Sequence, residues 1–462
     1  MTSLALVCVR ESRCRQWALD PSLKRCFAPI LGARLVQFEA MQGQAVLPLR
    51  RMALWASAIH QLNTAHGLDY TVTMCDAAAE NLSLWHFDAV VFFMDACNAS
   101  RTMPLAASLL AQGIRVVIAS GRPDVYAGKA PEALDGAYWT ALSLSCVPDV
   151  LGVSSVLEEA EVLPDWRATT LGDYCPYFVP VALGQQENGR VVARSIEAIM
   201  SEIGAMRESG LLDANKRIVF DSPFEDETMA MAVLLELSKR LVTEDLLWGA
   251  WVSSAYDARD VALLRRAGLC LAVLGKTMDF SGLMHDGQAR QVSACAISLF
   301  KSRGIFVCAD FTFGSDHESL ESFEAAKRVI AAGVDLPMLS LFTPYPEMPQ
   351  FDDYERQARI VTYDWAKYDG GHVVFVPQRL NAVTLERHYA AVQDWALSKF
   401  RLACRFVRPS KATIGAICRS ALPLGEAAAL RLALTSAARY GALHMSAVSL
   451  LQLSEVMLVG KY

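Results

Sequence analysis

The sequence predicts an α/β protein: a doubly wound parallel sheet, then a second series of βα units arranged as a partial (β/α) barrel, then a mainly helical C-terminal region. Three observations lead there. Short apolar runs without strict alternation recur between stretches of helical spacing, the pattern of strands buried on both faces of a parallel sheet. From residue 191 onward strand and helix alternate with a period of roughly 30 residues, the length of a βα unit. Beyond Pro349 that period stops, and a polar, aromatic stretch gives way to amphipathic helical spacing.

In order, Leu4–Val9 reads as a strand and Leu47–His66 as a helix, from its spacing of Leu, Met, Trp and Ile. Tyr70–Met74, Ala89–Met94 and Ile114–Ala119 are short apolar strands, with Met103–Gln112 a helix between the last two and Asp149–Ser154 a further strand. The second series runs helix Val191–Ser209, strand Arg217–Asp221, helix Glu225–Val242, strand Leu247–Ser253, helix Ala258–Ala267 and strand Leu269–Leu274. Helix Arg290–Ser302, strand Ile305–Phe313, helix Leu320–Ala332 and strand Leu336–Thr343 complete it. His372–Pro377 is a short β-like run, and helices are expected near Ala382–Cys404, Leu424–Tyr440 and Met445–Leu458.

Composition narrows the class. The chain has 462 residues, 53% hydrophobic against 20% charged, and a formal net charge of −6, which gives no general attraction to nucleic acid or anionic membranes. No run reaches the roughly 18 uncharged apolar residues that would span a bilayer. MTSLALVCVRES lacks a basic start and a small-residue cleavage site, so it reads as a first strand in a cytoplasmic protein. The 12 cysteines are scattered, with no C-x-x-C pair, as expected of small buried hydrophobes in a reducing compartment.

Seven phrases over residues 163–377 carry a family resemblance: LPDWR, RVVARSIEAIMSEI, FDSPFEDETMA, LLRRAGLCLAVLGKTM, GIFVCADFTFGSDHES, LFTPYPEMPQF and YDWAKYDGGHVVFVPQRLNAVTLE. In this order they resemble the cobalamin-binding radical S-adenosylmethionine (SAM) enzymes. The resemblance implies a Rossmann-like cobalamin-binding-type domain at 1–160, a partial (β/α) TIM-like barrel at 161–350 and a mainly helical extension at 351–462. It also implies a four-iron cluster held by C-x-x-x-C-x-x-C after the first barrel strand, whose open iron binds SAM.

The chain departs from that pattern where the cluster belongs. Counting from Cys175, the second and third ligand positions are Val179 and Ala182, which cannot bind iron. The preferred alignment makes Val179–Leu183 the first barrel strand and Gln185–Gly189 a shortened remnant of the cluster loop, so no four-iron cluster is expected. Gly275, Lys276, Thr277 and Met278 stand where the family has a glycine-phenylalanine-glutamate-serine turn, and Glu347 stands for the glycine that usually follows Tyr345–Pro346. None of His60, His66 and His86 begins the D-x-H-x-x-G cobalt-ligand signature, which the family itself commonly lacks.

Candidate site residues follow from strand ends, where open parallel sheets bind ligands. For cobalamin they are Asp95, Asn98, Ser100, Ser120, Gly121, Ser154 and Ser155; for SAM, Gly275, Lys276 and Thr277; for catalysis, Asp221, His317 and Tyr345. Each has a structural alternative. Ser315 or Asp316 beside His317 suits a helix cap, and Asp221 with Glu225 suits a helix N-terminus. Lys276–Thr277 lacks the glycine-rich approach of a phosphate loop, and no spacing suggests a metal site.

The expected function is that of a cluster-free relative in small-molecule (natural product) biosynthesis, using SAM or cobalamin for non-radical chemistry such as methyl transfer. Two other readings stay open. One is a non-catalytic accessory protein that binds a cofactor, a substrate or a homologous radical SAM protein; the other is a cobalamin-binding sensor module.

Overall fold

The computed structural model describes residues 2–9, 49–77, 84–157, 162–166, 178–187, 190–212, 217–221, 224, 226–274, 287–316, 318–334, 336–368 and 370–396. Two parallel sheets and one hairpin organise them. The first sheet contains β1 (Thr2–Val9), β2 (Tyr70–Ala77), β3 (Ala89–Met94), β4 (Arg115–Ser120) and β5 (Tyr138–Ala141), in the order β2-β1-β3-β4-β5. All its neighbours are parallel, with Leu4 opposite Val72 on one side and Ala89 on the other. The order reverses between β1 and β3, the arrangement of a doubly wound sheet.

Strand β1 shows why this sheet needs cover on both faces. Leu4 and Leu6 belong to one core with Met52 and Trp55 of helix α1 (Leu49–His66). Ala5, Val7 and Val9 belong to a second core with Ala99 and Met103 of helix α2 (Ala96–Ala111). Every residue from Leu4 to Val9 is buried, so the absence of alternation in the sequence is the signature of two cores. Trp55 meets Phe93 edge-to-face at 5.3 Å, and its ring nitrogen donates to the Leu142 carbonyl at 3.1 Å.

Two expected elements change here, and one strand that was not expected appears. Helix α2 starts at Ala96 rather than Met103, because Asp95 caps it in a reciprocal box with Asn98. Asp149–Ser154 is not a strand: α4 (Val147–Leu151) follows the short helix α3 (Pro123–Gly128) and β5, and ends in left-handed Gly152 at φ 73°. The edge strand is β5, which the sequence reading passed over.

The second sheet contains β6 (Phe178–Ala182), β9 (Arg217–Asp221), β10 (Trp248–Trp251), β11 (Leu269–Leu274), β12 (Phe306–Phe313) and β13 (Leu336–Leu341), all parallel and in sequential order. Between β6 and β9, an antiparallel hairpin of β7 (Gly184–Glu187) and β8 (Arg190–Ala193) precedes helix α5 (Ile196–Glu208). The expected helix from Val191 is therefore a strand and a helix, divided at Ser195, whose hydroxyl caps α5. Helices α6 (Glu227–Leu241), α7 (Ala258–Arg266), α8 (Gly287–Ser302) and α9 (Leu320–Ala331) alternate with the later strands.

One face of this sheet packs on helices. Phe220, Trp248 and Phe311 share a core with Leu237 of α6, Leu264 of α7 and Phe300 of α8. Strand alternation turns Val219, Trp251, Thr312 and Ser340 to the other face. After β13 come helix α10 (Pro349–Arg356), an isolated antiparallel bridge Ile360–Phe375 and helix α11 (Ala382–Ala396). The expected run His372–Pro377 contributes only that bridge. Helix α11 ends at the limit of the described residues, and the two later helices expected lie outside them.

The two sheets meet at two seams. At the first, Arg50 of α1 and Arg194, just after β8, both reach Glu202 of α5, at 2.9 and 2.6 Å. At the second, Tyr345, Phe351, Trp365 and Tyr368 share the α2-side core with Val90, Phe92 and Ile118. Tyr126 of α3 packs on Trp365 with ring centroids 5.0 Å apart. Each fully buried large apolar side chain contributes about 1.5–3 kcal/mol, so the second seam is held mainly by apolar contact.

Candidate functional site

The carboxyl edge of the first sheet gathers most of the residues expected to bind cobalamin. Asp95 follows β3, and its side chain accepts the Asn98 backbone N–H at 3.1 Å. Asn98 is buried; its amide donates to the Phe93 carbonyl at 3.1 Å, and its oxygen accepts from the Thr102 hydroxyl at 3.3 Å. These two side chains thus hold the start of α2 in place. Ser100 is exposed on α2, while Ser154 (exposed) and Ser155 (half-buried) follow α4.

Ser120 and Gly121 end β4. Ser120 is fully buried, and its hydroxyl has no hydrogen-bond partner among the described residues. Gly121 is covered by Glu347: a Cβ at Gly121 would lie 2.5 Å from the Glu347 Cγ and 3.6 Å from its Cβ. The Tyr126 hydroxyl donates to Glu347 Oε1 at 2.8 Å. Burial pushes the Glu347 carboxyl up to about 7, with Tyr126 opposing and nearby Asp95 adding to the rise.

Arg122 locks this arrangement. It donates to the Pro346 carbonyl at 3.1 Å and forms ion pairs with Asp124 and Asp352, both at 3.1 Å. Its guanidinium is held above its ordinary value, chiefly by the Asp124 hydrogen bond. Tyr345, a catalytic candidate, is buried in the core below and not presented at an open mouth. At the end of β4 the Glu347 side chain thus lies against the Gly121 backbone. Residues 10–48, which follow β1 at the reversal point, lie outside the described residues.

The second sheet presents a different edge. Asp221 ends β9, and its side chain lies outside the described residues, as do Gly275, Lys276, Thr277 and His317. After β10 the Ser253 hydroxyl accepts the Ala255 N–H at 2.9 Å, closing a local turn. Asp316, after β12, is bound by Arg359, by the Gln378 N–H at 3.2 Å and by the Tyr354 hydroxyl at 3.4 Å. The Arg359 hydrogen bond holds the Asp316 carboxyl below the usual range. Asp316 is thus a clamp between β12 and the segment after β13, not the helix cap considered from sequence. Glu318 is buried and accepts the Gly314 N–H. On the face away from the helices, the hydroxyls of Thr312 and Ser340 lie 3.1 Å apart and accessible to solvent.

At the start of the second sheet, β6 is followed at once by the β7–β8 hairpin. Arg194 then folds back and donates to the Ala182 carbonyl at the end of β6, at 2.9 Å. The hairpin strands, Gly184–Glu187 and Arg190–Ala193, flank and overlap the expected loop remnant, and a buried arginine is tied to the end of β6. Cys175 lies outside the described residues. Among the described residues no group of three or more His, Cys, Asp or Glu side chains is placed to hold a metal. Nor is any described helix long and apolar enough to cross a membrane.

Sequence reasoning noticed Glu347 only as a substitution for glycine and gave it no partner. Tyr126 has no signal of its own in the sequence, and Arg122 is a candidate only through its backbone, as the last residue of Ser120–Arg122. The usable signal was the bare glycine of SGRPD together with a bulky acid in YPEM.

No protein-family model matches the chain. Over 207 residues it is 27% identical to bacteriochlorophyllide d C-12(1)-methyltransferase of Chlorobaculum tepidum, a stretch that is 43% of this chain and 44% of that protein. The chain thus spans less than half the length of the curated relative it matches. What joins the two proteins is a distant, partial likeness to a methyltransferase.

Proposed function

We propose that the chain is a methyl-transfer enzyme of small-molecule biosynthesis, a relative of cobalamin-dependent radical SAM proteins that works without their cluster. The observation that carries this reading is the six-stranded parallel sheet in sequential order, with helices on one face, in a chain distantly like a methyltransferase. Such a sheet is read as a partial (β/α) barrel whose helix-free face lines the reaction space. The units are residues 1–160, 161–350 and 351–462.

With SAM as co-substrate, a lone pair of the acceptor attacks the methyl carbon. The carbon–sulfur bond breaks, its electrons stay on sulfur, and S-adenosylhomocysteine leaves. The acceptor's proton passes to a base. The protein's part is to align donor and acceptor and exclude water. Gly275, Lys276 and Thr277 are proposed to meet SAM; Asp221 and His317, at the ends of β9 and β12, are proposed as proton acceptors. Tyr345, buried under the second seam, is proposed to hold the barrel edge against the first sheet. No step is routed through cobalamin.

The test is methyl-labelled SAM with a panel of small acceptors that begins with chlorophyll-type tetrapyrroles, the class named for the similar protein. Label in an acceptor, with equimolar S-adenosylhomocysteine, is expected. Calorimetry that detects no SAM binding rejects the reading and leaves the accessory-protein alternative, which predicts co-purification with a homologous radical SAM protein.

A further inference from the structure

Open parallel sheets bind ligands beyond the carboxyl ends of their strands where the order reverses; here that point lies between β1 and β3, with the end of β4 next to it. Two features there are those of a binding edge. Gly121 has no side chain between its backbone and whatever lies above it, and Ser120 keeps a fully buried hydroxyl without a partner among the described residues. A buried polar atom left without a bond is costly to folding. Yet the space is filled. The Glu347 side chain runs across Gly121, is tied down by Tyr126, and belongs to a loop clamped by Arg122 through Pro346 and Asp352.

We infer that Glu347 is the specificity-determining residue of this edge: its side chain occupies the Gly121 hollow and keeps a corrinoid-sized ligand out. The hollow is a ligand site closed by the chain itself, and shortening residue 347 reopens it. Volume closes the site. A glutamine, equal in size, keeps it closed; an alanine, which lacks the Cγ nearest Gly121, opens it. The inference goes beyond the methyl-transfer reading, since its readout is binding to the first sheet and needs no turnover.

The experiment uses the full chain and hydroxocobalamin, read by retention on ultrafiltration and by the shift of the corrinoid absorption bands. Wild type and Glu347→Gln are expected to retain none, and Glu347→Ala about one equivalent. Retention by wild type overturns the inference; so does failure of a folded Glu347→Ala, checked by circular dichroism, to bind. A second measurement tests the contact itself. Gly121→Ala is expected to lower the thermal midpoint in wild type and to leave it almost unchanged in the Glu347→Ala background. Equal losses in both backgrounds mean that Glu347 does not fill the hollow, and the inference falls.

Discussion

At one seam between the two sheets, Glu202 lies between Arg50 and Arg194; at the other, Glu347 lies over Gly121 with the Tyr126 hydroxyl as donor. Glu202 is buried and Glu347 is half-buried. The first is compensated by two guanidinium groups at hydrogen-bond distance, and burial holds Arg194 below its ordinary value while Glu202 opposes the change. The second has one neutral donor, and burial raises its proton affinity into the neutral range. The contrast separates a fixed joint from a titrating one.

The largest effect is expected at the fixed joint. Glu202→Ala leaves buried Arg194 and half-buried Arg50 without their shared carboxylate and should cost about 3–5 kcal/mol, by analogy with broken buried pairs. Urea denaturation measures this, and a loss below about 1 kcal/mol would place the network's contribution near that of a surface pair. The titrating joint should show a smaller effect that depends on pH. Glu347 rises in the folded state from 4.5 to about 7, so the native protein binds the extra proton between those values. Its contribution is fully present below pH 4.5 and is lost as pH rises through about 7. At about 1.4 kcal/mol per unit the span is ~3 kcal/mol, and Glu347→Gln should flatten that part of the stability profile. A profile unchanged by the substitution would show that Glu347 is solvated. The smallest effect is expected away from both seams: Glu236→Ala removes only an exposed pair with Lys239 and should cost no more than about 0.5 kcal/mol.

The strands were the legible part of this chain. Ala89–Met94 and Leu269–Leu274 have the expected bounds because their apolar runs are bordered by polar or glycine residues. Errors arose where two signals competed. The apolar spacing of Met103–Gln112 marks only the second half of α2, which Asp95 and Asn98 start at Ala96. Val191 and Val192 look continuous with the helix that follows, although they pair across a hairpin with Gln186 and Gln185. DVLGVS (Asp149–Ser154) reads as a strand until Gly152 is recognised as a left-handed stop.

The candidate site was less legible, because its key contact is not local. Tyr126 and Glu347 are 221 positions apart, and neither residue type announces the other. Spacing shows which residues share a strand end. It does not show which distant side chain will lie on top of them. The family resemblance marked Glu347 as unusual, but only the packing on Gly121 gave the substitution a physical meaning.

The second seam also sets a timetable for synthesis. The α2-side face of the first sheet is formed from residues that precede Ala141, whereas the side chains that cover it run from Tyr345 to Tyr368. A ribosome adds about 5–20 residues per second, so that apolar face waits on the order of tens of seconds for its partner. During that interval the core between the first sheet and α2 lacks the rings of Trp365 and Tyr368 that complete it.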